Sequence, residues 1–321
     1  MNRIWKHSPR DAIFVFLCVA QLMLMPALAA KWDGASLPQQ AGTFALLVFM
    51  TTYNIIIIAH LFTHTPWFES PTLNGIASAL NSFNIGQSVQ AYQLSHVRNH
   101  HRYNNDRKGP DGQTKDTSST FRDGRNGEHA SLSRYALAGA LSTLMDVGRA
   151  HLSLIRLWRV GDREHALRDL AAREPVRRAR ELQQVRIDRM VHFAGTCILL
   201  AISWRWTLLC YLPAFYLSLA LVNMQNYYEH YGAVPEDRCA DSASYYGQLY
   251  NLLAFNDGFH QEHHLRPQTH WSLLPEVRRE FATRLDTTRR IISPVPAIIG
   301  FLDWRRPLLH REASTAHSDL P

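Results

Sequence analysis

Histidine is the residue type whose placement first suggests chemistry in this chain. Eight of its 17 histidines fall into three short clusters: HLFTH at His60 and His64, HVRNHH at His96, His100 and His101, and HQEHH at His260, His263 and His264. On a helix, residues three and four apart share a face, so one short segment with such spacing can offer two or three imidazoles on one stripe. Imidazole suits iron, copper, zinc and nickel alike, so ligand type does not choose the metal. With 17 histidines in 321 residues, a lone HxxxH pair is expected about once by chance, whereas each triple is expected about 0.05 times. The two triples therefore carry the signal, and the pair gains weight only beside them. Eight imidazoles exceed the needs of one tetrahedral ion, so the pattern implies two metals. The HExxH pattern of zinc proteases is absent, as is the Glu-x-x-His pairing of soluble carboxylate-bridged bundles.

A ninth candidate, His230, lies in NYYEHYG with Asn226 one helical turn before it. His7, His129, His151, His165, His192, His310 and His317 read as structural, and His270 leans the same way.

Four uncharged or nearly uncharged runs must position these groups: about 12–30, 41–59, 190–204 and 206–228. A helix rises about 1.5 Å per residue, so roughly 20 residues cross a hydrocarbon core of about 30 Å, and only the third run is short. The fold expected is all-α and integral to a membrane, with about four transmembrane helices in two hairpins turning at residues 31–40 and at Arg205, and a cytoplasmic helical cap carrying a His-rich di-metal site. Residues 1–321 are expected to form a single domain. An Ala27-Leu28-Ala29 triplet behind a basic start resembles a cleavage site; the segment is read as a retained span.

The cations orient this arrangement. The formal net charge is +7 and the isoelectric point about 9.4. Of 34 Lys and Arg residues, all but Lys31 and Arg205 lie before the first span, between residues 93 and 189, or after residue 230. The positive-inside rule assigns those three regions to the cytoplasmic side of an inner membrane. The basic charge is thereby explained without a nucleic-acid partner. The same orientation brings all three clusters and His230 to one face, where ionisable groups at such depth are costly unless they serve a site.

The stretch 70–95 is uncharged but rich in Asn, Gln and Ser, and is expected to pack at the interface or beneath the bundle. Residues 104–127 read as a Gly, Asp, Ser and Thr-rich loop. Residues 147–189 read as basic amphipathic helices broken near Pro175, with Leu152, Leu154, Ile155, Leu157 and Trp158 on the apolar side, and 291–302 as a segment that dips into the interface or forms a core strand or loop. The cysteines, at 18, 197, 210 and 239, show no metal or disulfide spacing.

The three boxes, with their order and their placement around two helical hairpins, resemble the integral-membrane fatty acid desaturase and hydroxylase superfamily over about residues 50–275. The resemblance implies two non-haem Fe ions held by His60, His64, His96, His100, His101, His260, His263 and His264. His230 matches the additional histidine of the last span, and Asn226 matches a water-bridging asparagine. It also implies O2 as co-substrate, a fatty acyl substrate and a separate electron-donor protein, of ferredoxin or haem-carrier type with its reductase. NYYEHYG resembles membrane alkane monooxygenases, whereas NDGFHQEHH (residues 256–264) is closer to acyl desaturases, and HLFTH lacks the acidic residue often found after its first histidine. Desaturation is the reaction expected. The alternatives are fatty acid or alkane hydroxylation and terminal-alkene-forming decarboxylation of a free acid. Glu229, Asp257 and Glu262 are candidate partners that orient the imidazoles. A membrane metal-binding or transport protein without catalysis is the competing class; it predicts ionisable residues along several spans, and only His192 and Asn54 hint at interior polarity.

Overall fold

The computed structural model describes residues 4–157 and 162–312; Trp158 and His317 lie outside them. The chain divides into two compact units, one holding the chain up to Ser95 together with Ala140–Ala220, the other His96–Gly139 together with the chain from Leu221 onward.

In the first unit, helix α1 (Pro9–Gly34) turns through Ser36 into α2 (Leu37–His64). The Gln39 side chain accepts from the Ser36 N–H at 2.8 Å, which caps the new helix. There follow α3 (Pro71–Ile85), α4 (Val89–Ser95), α5 (Gly139–Leu154), α6 (Asp162–Asp169) and α7 (Pro175–Ile202). The break expected near Pro175 is the start of α7, where the Glu174 carboxylate accepts from the N–H groups of Val176 and Arg177 at 2.9 and 2.7 Å. Ser203 is extended and caps α8 (Trp204–His230), accepting from the Trp206 N–H at 3.1 Å. Among the described residues, three helices, α1, α2 and α8, are long and apolar enough to cross a membrane. Phe16, Met23, Phe49 and Leu209 stand exposed on them, as lipid-facing side chains do. They make this a membrane protein. The run at 190–204 lies mostly in α7, one helix of 28 residues. Arg177, Arg178, Arg180, Arg186 and Arg189 all lie in its first 15 residues, so its span-like portion is only the C-terminal part.

The stretch 70–95 is helical, as expected of a segment too polar for lipid. It is helix α3 and helix α4 within the first unit, and its amides point inward. Asn54 and Asn81 exchange side-chain hydrogen bonds at 2.9 Å, Asn54 also donates to Gln21 at 2.9 Å, and Asn84 donates to Asn81 at 3.1 Å. These mutual hydrogen bonds offset most of the cost that makes polar groups avoid an apolar interior, with Asn84 Oδ1 left buried and unpartnered. Gly195 lets α7 approach α3, since a Cβ there would lie 2.2 Å from the Phe83 ring. Asp188, on α7 and fully buried, accepts from Ser78 Oγ, Ser88 Oγ and the Gln90 N–H at 2.9 Å and from Gln184 Nε2 at 2.7 Å. Asp188→Ala strands these buried donors. The expected result is a loss of about 3 kcal/mol, read as a lower thermal midpoint in detergent; an unchanged midpoint would disprove the clamp.

The second unit takes up the last turns of α8, then α9 (Gln248–Leu253), α10 (His260–Leu265), α11 (Leu274–Glu280) and α12 (Ala282–Thr287). Its sheet is minimal: β1 (Ala243–Ser244) pairs in parallel with β2 (Ile291–Ile292). Part of the 291–302 segment is thus strand, and the rest is a short helical turn, Ala297–Leu302. Ala233, Ala243, Ile291 and Leu309 form the apolar cluster around the strand pair.

Candidate metal centre

The histidine boxes do not each present one stripe. His96–His100 is a π turn followed by a short α-helical turn, His101–Tyr103. The π turn's wider i to i+5 repeat carries His101 over His96, and their Nε2 atoms lie 3.1 Å apart. Neighbouring residues on a helix diverge in direction, so the adjacent pairs His100/His101 and His263/His264 each feed two separate groups. His96, His101 and His263 gather in one, with His263 Nε2 3.1 Å from His101 Nε2. His100, His230 and His264 form the other, all three buried, with ring nitrogens within 4.8 Å of one another.

The second group shows how the site is prepared for a cation. His100 donates from Nδ1 to the Asp116 carboxylate at 2.8 Å. His230 donates from Nδ1 to the backbone carbonyl of Asp241 at 3.0 Å, and His264 from Nδ1 to the Asn104 side-chain oxygen at 2.5 Å. Each acceptor fixes the tautomer, so the lone pair sits on Nε2. Nε2 of His100 and of His264 is buried without a hydrogen-bond partner. An uncompensated buried acceptor is expensive, and two of them beside a third imidazole fit a metal ion. Burial, then the neighbouring imidazoles, pushes His264 well below the usual histidine range, which keeps it in the neutral ligand form. In the first group, His101 Nε2 lies 3.1 Å from Nε2 of both His96 and His263, so three ring nitrogens sit close enough together to share one cation.

The other predicted residues lie as follows. His260 is 3.5 Å from His230 between Nε2 atoms, and its Nδ1 faces Glu229 at 3.5 Å. In the first unit, His60 and His64 end α2 with ring centroids 5.1 Å apart, and His60 donates from Nδ1 to the Ile56 carbonyl at 3.1 Å, the same tautomer again. Asn226 donates to Tyr135 Oη at 2.6 Å, and Tyr135 donates to the Ser118 carbonyl at 2.6 Å. Glu229, one of the three proposed orienting acids, thus faces a box histidine. Glu262 accepts instead from Ser244 Oγ at 2.9 Å and Tyr246 Oη at 2.6 Å. Asp257 accepts from Tyr250 Oη at 2.7 Å and Gln225 Nε2 at 3.0 Å, and burial pushes its carboxyl up to about 7.

Sequence reasoning missed Asn104, Asp116 and Asp241, which hold the histidines from behind. Asn104 and Asn105 both adopt positive φ, a conformation asparagine tolerates, and this turns the chain sharply after the second box. Asn104 then reaches both His264 and the Asp241 carboxylate, while the Asn105 N–H donates to Asp116 at 2.8 Å. Burial alone would raise the Asp116 carboxyl, but the His100 imidazole and the Ser118 donors hold it well below the usual carboxylate range. The available signal was the Asn104-Asn105-Asp106 run directly after the box, in a loop that looked like ordinary connection.

The fold and site together describe a helical membrane protein built around paired imidazole groups suited to metal. A model of the fatty acid desaturase family matches residues 38–294. The chain belongs to that family. It is 44% identical over 63 residues to a sphingolipid delta(4)-desaturase of Candida albicans (strain SC5314 / ATCC MYA-2876), a stretch covering 20% of this chain and 17% of that protein. No solved structure is significantly similar to it.

Proposed function

We propose that the protein uses O2 and a non-haem di-iron centre to desaturate a fatty acyl chain. The observation that carries this reading is the partition of the box histidines into two groups, one of them with each Nδ1 pinned so that Nε2 is left for a metal. The ligand set proposed is His60, His64, His96, His100, His101, His230, His260, His263 and His264, with Asn226 holding a water. The chain is proposed to work as one desaturase-like domain in a cytoplasmic membrane, its active site on the cytoplasmic side, with electrons from a separate ferredoxin or haem-carrier protein.

Removing hydrogen from an unactivated methylene is beyond acid and base side chains, so O2, activated at the metal these histidines would hold, would supply the oxidising power while the protein supplies position. The reaction balances as –CH2–CH2– plus O2, two electrons and two protons giving –CH=CH– plus two waters. Asn104, Asp116 and the Asp241 carbonyl hold three imidazoles in one tautomer and orientation throughout. The amide network of the first unit, Gln21, Asn54, Asn81 and Asn84, is hydrogen-bonded within itself and consists of neutral side chains, not a chain of ionisable groups; this favours the enzyme over a transporter.

Purified protein should carry about two irons per chain by metal analysis. Membranes expressing it should yield, by mass spectrometry, a fatty chain two hydrogens lighter, and a ferrous chelator should stop the reaction. The sphingolipid desaturase relative makes sphingolipids the first lipid class to compare with thioesters and free acids. A product one oxygen heavier would assign hydroxylation, and a shortened terminal alkene would assign decarboxylation. Zinc in place of iron, with no oxygen consumed, would overturn the enzyme reading.

A further inference from the structure

Helix α9, Gln248–Leu253, is built inside out. Its buried residue, Asn251, spends its side chain on the protein, donating to the Tyr245 and Gly247 carbonyls at 2.9 and 3.0 Å and accepting from the Gly258 N–H at 3.1 Å. Tyr250 likewise turns inward to Asp257. Leu249, Leu252 and Leu253, spaced to share one face, stand outward at 71%, 74% and 61% exposure. The segment after β2 repeats the inversion. Arg306 is buried, while Phe301, Leu302 and Trp304 are exposed, and the exposed Arg305 guanidinium lies over the Trp304 ring at 4.3 Å.

Both segments adjoin the end of the last span. Gly300 packs against Tyr228 so closely that a Cβ would lie 2.3 Å from its ring, and Tyr228 lines one cavity together with Tyr250 and Ala297. Tyr228 is two residues from the end of α8. An apolar patch of this kind marks an interaction surface. Its continuity with the mouth of a membrane span, and its Trp-Arg rim, specify the partner: Trp sits at the level of the headgroups and Arg attracts anionic lipid. We infer that the Leu249/Leu252/Leu253 face and the Phe301–Trp304 segment dip into the headgroup–acyl boundary of the bilayer beside the last span, forming an interfacial anchor in addition to the spanning helices.

The test uses the full chain in lipid vesicles containing anionic lipid. In a Cys197→Ser background, Leu252→Cys and Leu302→Cys carry nitroxide labels, with Asp111→Cys as an exposed control. Collisions with dissolved oxygen should exceed those with a water-soluble nickel chelate at 252 and 302, and the order should reverse at 111. Equal preference for the nickel chelate at all three positions would overturn the proposal, and so would spin–spin broadening that assigns the face to a second copy. Trp304→Phe provides an independent reading: it should remove the quenching of tryptophan fluorescence by lipid brominated just below the headgroup that this residue accounts for. Unchanged quenching in that variant would also refute the anchor.

Discussion

His264→Ala should leave the protein folded in the membrane yet without measurable desaturation, and with iron per chain reduced to about half of wild type or less. The two ring nitrogens of His264 are clearly divided, Nδ1 bound to Asn104 and Nε2 buried without a hydrogen-bond partner. Alanine removes the ligand and leaves Asn104 without its donor, while Asn104 still reaches Asp241. Two imidazoles, His100 and His230, then remain where three converged, and two ligands do not retain a catalytic ion against exchange. The activity loss should exceed the roughly 10–100-fold that loss of an outer partner costs. His165→Ala, at an exposed position far from either group in sequence, should keep full metal and activity. Metal retained at the wild-type level in His264→Ala would remove this residue from the centre.

Much of this was readable from residue types. The apolar runs located α1, α2 and α8 because lipid-facing helices need uncharged length, and the box spacings located the histidines because ligand geometry restricts where imidazoles can sit on a helix. Three things were not readable, each for a physical reason. Partition of the boxes into two groups depends on a π turn at His96–His100, and π turns have no strong sequence signature. The inward direction of Asn81 and Asn84 depends on partners on other helices, Asn54 and Gln21, which only tertiary packing reveals. Asp116 lies 16 residues from the histidine it holds; its role follows from the path of the 104–127 loop, and loop composition does not report a path. The short helix α9 shows the same limit from the other side. Its three leucines suggest a core helix, whereas packing turns Asn251 inward and the leucines out.

Asp116→Asn should weaken metal binding by roughly 10–100-fold while sparing most of the fold. The carboxylate is fully buried and accepts through both oxygens: Oδ2 from His100 Nδ1 and the Asn105 N–H at 2.8 Å, Oδ1 from the Ser118 N–H at 2.8 Å and its Oγ at 2.7 Å. Asparagine keeps the shape but turns one of those oxygens into a donor. If the NH2 faces His100, the ring can no longer donate from Nδ1 and must either take the other tautomer, which places its proton on the metal-facing Nε2, or rotate away. If the NH2 faces Ser118 instead, a backbone N–H and a hydroxyl lose their acceptor, at a cost of about 1–3 kcal/mol. The loop has independent support, since Asp106 accepts from the N–H groups of Lys115 and Asp116 at 2.9 and 2.8 Å and Asn99 accepts from the Thr117 N–H at 2.8 Å. Its structure should therefore survive, and the effect should appear in the ligand. Competition of the purified protein against a calibrated iron chelator measures the affinity, and a thermal midpoint on the same sample separates ligand loss from unfolding. A full-affinity Asp116→Asn would show that His100 needs no carboxylate to present Nε2, whereas a loss confined to stability would make Asp116 a loop clamp only.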